Sequence, residues 1–189
     1  MLRKKPILIL LIFIFSINTE NLLANDKSKI IENLNNIETL KFNFVQISFD
    51  KKENGVCFLR RPYFLKCIYE DKNQKELIVN RKNLVIYHKR YNKTYYYPVS
   101  KSYFVDILDK KKFKNLVLNG NLSLEKDFFE IKYSKENKGE IIFFFDKKSF
   151  DLSGWKIVDL NGNHTSFKIN NLSKNQSLDK KLFAIPAIN

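Results

Sequence analysis

The chain has 189 residues, with 34 lysines and arginines against 20 aspartates and glutamates, a formal charge of +14. That length suits one domain with its own core, and the only two thiols and two distant histidines lack the spacing of a Cys/His metal centre. The basic balance admits nucleic acid, an anionic membrane surface or acidic partners, yet the lysines are spread along a chain rich in Asn, Ile, Phe and Tyr, as a bias toward AT-rich codons produces without any selection for binding.

Arg3, Lys4 and Lys5 precede an almost unbroken apolar run over residues 7–17, and a polar stretch ends in Leu22-Leu23-Ala24. Basic, apolar, then polar with a small residue is the order of a secretory signal peptide, too short for a confident membrane span. Residues 1–24 are therefore expected to be a cleaved leader, and residues 25–189 a single exported domain. Export argues against nucleic acid. No cysteine stands at the end of the leader, so the product is expected to be released rather than lipidated.

Residues 26–39 read as an amphipathic helix, with Ile30, Ile31, Leu34 and Ile37 on one side and Asp26 able to cap its start. From Leu40 the period changes to two. Phe42, Phe44 and Gln46 alternate with Val45, Ile47 and Phe49 in a strand expected to end at a charged turn over residues 50–54. Strands over residues 55–60 and 64–70 flank Arg61-Pro62, because proline cannot pair within a central strand. Cys57 and Cys67 lie equidistant from Pro62, so a hairpin turning there sets them opposite one another, within reach of a disulfide. Two small buried thiols fit that placement equally well.

Further strands are expected over residues 76–79, 84–88, 94–99, 128–133, 140–145, 155–159 and 165–169, the last two joined by an Asn161-Gly162 turn. Residues 103–118, with Val105, Ile107, Leu108, Phe113, Leu116 and Val117, suit one or two short helices. Many strands with little helix between them predict an antiparallel barrel or sandwich. The apolar helix faces must cover something, either the mouth of an open barrel or an ordinary α+β core. Phe143, Phe144 and Phe145 are consecutive, as are Tyr95, Tyr96 and Tyr97, so both faces of those strands carry aromatics. That pattern fits a fully covered sheet, or a carrier with a lined interior and a partly wet outside.

An enzyme is not supported. His88 and His164 are far apart, and no Ser-His-Asp order, glycine-rich phosphate loop or metal spacing is present. Glu76 and Asp106 are indistinguishable from surface charges. No catalytic residue, cofactor or metal is expected.

The order of these pieces resembles the periplasmic outer-membrane lipoprotein carrier family, LolA. The matching residues are the leader, the amphipathic helix and Phe42-x-Phe44-x-Gln46, then Gly55-x-x-x-Leu59-Arg-Arg61-Pro62, a strand ending at Tyr69, and Leu84-Val-Ile-Tyr87. Trp155-x-x-x-Asp159-x-x-Gly162-x-x-Thr165 and Leu178-Asp-x-x-Leu182-Phe183-x-x-Pro186 follow in the last third. The resemblance spans nearly all of the chain after the leader. It implies a mainly β protein with some α, an open, incomplete antiparallel β-barrel with a lid of short helices.

It also implies a monomeric periplasmic chaperone of a Gram-negative bacterium. Such a chaperone receives acylated lipoproteins from an inner-membrane ABC-type release complex and passes them to an outer-membrane lipoprotein acceptor. Arg61 matches the arginine that latches the lid. Alternation places Phe44, Leu59, Leu65, Tyr69, Val85 and Tyr87 on the lipid-cavity lining, with Leu108 from the lid. The chain departs from the family at Asn80-Arg81, where Asp-Gly is usual, and at Cys67 and Val85, which replace bulkier aromatics. Smaller groups there imply a roomier cavity. A general lipid-binding protein and a membrane-tethered lipoprotein acceptor of the same shape are the competing readings.

Overall fold

A computed structural model describes residues 24–81, 83–99 and 103–186 of the chain. The leader reading for residues 1–24 lies, apart from Ala24, outside the described residues. Helix α1 covers residues 24–35 and buries Ile30 and Leu34. It is shorter than the expected 26–39, since from Thr39 the two-residue period takes over and the backbone pairs as a strand.

Strands β1 (Thr39–Ser48), β2 (Lys51–Arg60), β3 (Phe64–Tyr69), β4 (Lys75–Asn80), β5 (Asn83–His88) and β6 (Lys93–Pro98) follow as successive hairpins. Helices α2 (Phe104–Leu108) and α3 (Lys110–Asn119) interrupt them. The chain then returns through β7 (Asn121–Leu124), β8 (Phe128–Lys135), β9 (Gly139–Asp146), β10 (Leu152–Val158) and β11 (His164–Lys174). All eleven strands form one antiparallel sheet in the order β6-β5-β4-β3-β2-β1-β11-β10-β9-β8-β7. Its outermost strands, β6 and β7, do not pair with each other, so the barrel stays open.

Some boundaries differ from the sequence reading. The charged residues Lys51 to Asn54 are not a turn but the first part of β2, paired with Val45 to Ser48 of β1. The reversal is made by Phe49 and Asp50, both in left-handed conformation at φ 49° and 60°. Charge alone did not mark the turn, because an exposed hairpin end keeps its backbone ladder while its side chains stay in water. The Asn161-Gly162 signal lands correctly, but in a longer loop between Val158 and His164. Gly162 takes φ +80° there, and the Asp159 carboxylate accepts from the backbone of Asn161 and Asn163. Strand β7 went unread because only Leu122 and Leu124 mark it.

Register places the side chains in rows across the concave face. One row runs Phe42, Cys57, Cys67, Leu77, Ile86, Tyr95, another Leu122, Ile131, Phe143, Trp155, Phe167, Gln46. The opposite, convex face is covered at β3 and β4 by the C-terminal turn. A 3-10 turn at Lys180–Phe183 packs against β3 and β4, sets Phe183 5.7 Å from the Phe64 ring, and accepts a bond from Asn80 Nδ2 at the Phe183 carbonyl. Ile78 and Val85, partners on that same face, are fully buried.

Candidate functional site

The helices roof the concave face over β8 to β10. Phe113 of α3 meets Phe143 of β9 with ring centroids 4.9 Å apart, and both are almost wholly buried with Leu108. Burying side chains of this size contributes about 1.5–3 kcal/mol each. The polar ties are few by comparison. Lys27 donates to the Leu118 and Gly120 carbonyls at the end of α3, where a cation suits the exposed carbonyls. Asn33 Nδ2 donates to the Phe150 carbonyl and to Asp151. Asp109 caps α3 by accepting from the Lys112 backbone N–H, and the Tyr63 hydroxyl donates to the same carboxylate. Burial works against the charged form of Asp109, yet these donors hold its carboxyl below the ordinary range.

Arg61 sits where the β2–β3 turn meets the lid. The residue is 7% exposed, and its guanidinium donates from Nη1 to the Leu34 carbonyl at 2.9 Å and lies 5.7 Å from the Phe113 ring centroid. The donor therefore reaches a carbonyl in the last turn of α1, beyond the regular helix ladder, which otherwise accepts only a long 3.4 Å bond from the Ile37 N–H among the described residues. Burial pushes the guanidinium down to about 10, against the pull of Glu38 and Asp109, so it remains charged at neutral pH. Its Nε is buried with no hydrogen-bond partner among the described residues. By contrast, Arg60 points away and donates to the Leu178 carbonyl, as strand alternation requires.

Beside the lid the concave face is open, and a cavity of about 290 Å³ lies between the two flanks of the sheet. Leu65, Cys67, Leu77 and Ile86 line it from one flank, and Trp155, Ile157 and Phe167 from the other, with Phe42 between. The wall is a continuous aromatic stack. Trp155 lies on Phe167 with centroids 4.2 Å apart at 5°, and Phe44 lies on the same ring at 4.7 Å and 16°. Phe44 meets Tyr69 edge-on at 4.9 Å. Gly55 makes room for this, since a Cβ there would stand 2.8 Å from the Phe44 ring and 2.1 Å from the Ile68 carbonyl.

One end of the cavity is polar. The Tyr69 hydroxyl donates to Gln46 Oε1 at 2.8 Å. Lys75 Nζ stands 3.7 Å from the Tyr69 ring centroid and pairs with Glu53 at 2.7 Å. Burial, with Glu53 and Asp71 nearby, pushes the Tyr69 hydroxyl well above its usual range, so it acts as a neutral donor.

Of the residues expected on the lining, Leu65 and Tyr69 are on the wall. Phe44 backs it, and Leu59 and Leu108 lie in the contiguous buried core. Val85 and Tyr87 are on the other face, one register away from Ile86, which does line the cavity. Every residue from Leu84 to Tyr87 is apolar or aromatic, and Val85 is buried on the convex face as well, so alternation could not choose between the faces. Cys57 and Cys67 are direct partners, joined in a disulfide with Sγ atoms 2.00 Å apart. Glu76 and Asp106 are not brought together, pairing instead with Lys66 at 2.9 Å and Lys138 at 2.7 Å. Gln46, Lys75, Leu77, Trp155 and Phe167 were missed as lining. Their alternation was visible, but meeting across the cavity depends on long-range register.

An open antiparallel sheet, curled around an aromatic cavity and partly roofed by helices with a buried arginine at their edge, defines a lidded half-barrel. The family model for the outer membrane lipoprotein carrier protein LolA matches residues 35–186, and the chain belongs to that family. A curated relative, the outer-membrane lipoprotein carrier protein of Francisella tularensis, is 34% identical over 89 residues, 44% of this chain and 42% of the relative. The match thus spans less than half the length of that relative. Among solved structures, an uncharacterized conserved protein from Thermus thermophilus superposes with a TM-score of 0.54 at 8% identity, covering 86% of this chain and 93% of its own. A chain of the Pseudomonas aeruginosa MucA/MucB complex gives 0.51 at 9%, covering 87% and 61%. At such identities the likeness is one of fold. No helix among the described residues is long and apolar enough to cross a membrane.

Proposed function

We propose that this protein is a periplasmic lipoprotein chaperone, exported by its leader from residue 25 onward and acting as a monomer. It takes acylated lipoproteins from an inner-membrane ABC-type release complex and yields them to an outer-membrane acceptor, with Arg61 as the lid latch. The observation that carries this reading is the pairing of an aromatic cavity with a lid that fills the rest of the same concave face. Pockets that enclose a drug-sized ligand run about 300–1,000 Å³, so 290 Å³ holds only part of a multiply acylated cargo. The remaining acyl chains need the surface under Leu108 and Phe113.

Cargo and lid then compete for one apolar face. Each buried methylene contributes about 0.8 kcal/mol, and full enclosure of several chains in an empty cavity would bind too tightly for release. Displacing the lid offsets that gain and leaves a load that a tighter acceptor removes. Loading energy comes from the membrane transporter, since the proposed mechanism gives the carrier no nucleotide. The Tyr69–Gln46–Lys75 end suits the ester and amide carbonyls where the chains join.

Native mass spectrometry tests this with the exported protein, a purified triacylated lipoprotein and then an acceptor. A one-to-one complex that empties on adding acceptor is expected. No complex, with another lipid copurifying, would move the function to general lipid binding, which the apolar wall also suits. Arg61→Leu is expected to fold and load but not pass its cargo on, and normal onward transfer by that variant would sink the latch.

A further inference from the structure

A second large opening lies at the other end of β2 and β3, outside the aromatic cavity. It is a groove of about 920 Å³, within the size range of small-ligand sites. Five cations line it: Arg60 and Arg61 from the β2–β3 turn, Arg81 from the turn after β4, Lys112 of α3, and Lys180 of the C-terminal turn. No carboxylate lines it among the described residues. Asp109 is engaged by the Tyr63 hydroxyl and the α3 backbone, and Glu38 by Lys110. Arg81 and Lys180 form no ion pair among the described residues. Val99 and Val105 add an apolar wall.

A compositional lysine bias scatters charge over a surface; it does not bring cations from four separate elements to one concavity without an acid. Like charges so gathered repel one another and stabilise a bound anion. Arg61, whose Nε is itself buried without a hydrogen-bond partner among the described residues, adds an incompletely satisfied charge behind this wall. Three of the five are arginines, whose planar forks match phosphate oxygens.

We propose that this groove binds the phosphate group of an anionic amphiphile, with the lipid stem against Val99 and Val105. The site is distinct from the cargo cavity and does not depend on the cargo assigned above. Arg61 joins the two regions, since the guanidinium at the groove wall also holds the Leu34 carbonyl.

The test uses the exported protein with phosphatidylcholine vesicles, with and without phosphatidylglycerol, and with sn-glycerol 3-phosphate as a soluble headgroup. The double variant Arg81→Glu/Lys180→Glu changes two exposed groove residues, and Lys126→Glu/Lys148→Glu makes the same charge change at exposed turns elsewhere. Binding is expected only to phosphatidylglycerol vesicles. It should fall at least about tenfold in the groove variant, from the loss of two charge-assisted contacts, and hardly at all in the control. Saturable binding of glycerol phosphate assigns recognition to the headgroup alone, and vesicle binding without it assigns the intact lipid; either supports the site. Equal loss in both variants would reduce the effect to net charge and overturn the proposal, as would no binding to either probe. Displacement of glycerol phosphate by an acidic peptide that binds more tightly would reassign the groove to a protein partner.

Discussion

On the β8–β10 flank of the concave face, Ile131 and Phe143 are fully buried beneath α3. On the β3–β5 flank, Leu77 and Ile86 occupy the same kind of inward position and remain half-buried, and farther out Tyr95 and Tyr97 are 46% and 48% exposed. Both flanks are equally apolar in sequence. One is closed core and the other an open apolar surface, and the difference is made by where the helices rest. In the proposed mechanism, a lid that covers only part of an apolar face leaves the rest for the cargo and is itself exchanged for it.

Substitutions should separate the flanks. Phe143→Ala removes a ring packed on Phe113 and is expected to cost about 3–5 kcal/mol of stability in urea unfolding. Leu77→Ala on the open flank already faces a void and should cost about 1 kcal/mol, while weakening lipopeptide binding. If the two changes cost the same, the open flank is ordinary core. Next in size, Cys57→Ser opens the short loop that the disulfide closes and is expected to cost about 2–3 kcal/mol, read from the same unfolding curves with the oxidised parent as reference.

The latch should matter for lid opening more than for global stability. Arg61→Leu removes a charge-assisted bond to Leu34, worth about 1.5–3 kcal/mol. Exchange of α1 amides is therefore expected to rise about tenfold to a hundredfold. The urea midpoint should move little, because an incompletely satisfied buried charge leaves with the bond. Asp109→Ala loses the α3 cap, for about 0.5–2 kcal/mol. The Asp109 carboxyl titrates below its ordinary value, so its contribution is complete above the unfolded pKa and is lost as pH falls through the folded one. Lid amides should lose protection on acidification below about pH 4 before the sheet does, and a sheet that opens together with the lid would contradict this.

The architecture was largely legible because alternation, Pro62, Gly162 and the helical spacing of α1 are local signals. The site was half legible. Leu65 and Tyr69 could be placed on the wall because β3 alternates between apolar and polar groups at Lys66, which fixes its face. Val85 and Tyr87 could not, because β5 is apolar on both sides and only its pairing with β4 and β6 fixes which side is outside. Trp155 and Phe167 join Phe44 only through the β1–β11 pairing, which no local pattern encodes. The groove cations were visible singly as lysines and arginines, and only the fold brings them together.

The central claim is that lid and cargo compete for one surface. Hydrogen exchange of the exported protein, with and without a bound triacylated lipopeptide, tests it most directly. Loading is predicted to strip protection from α1, α2 and α3 while strengthening it along β3 to β5. A lid that stays as protected with lipopeptide bound as without it would contradict the account.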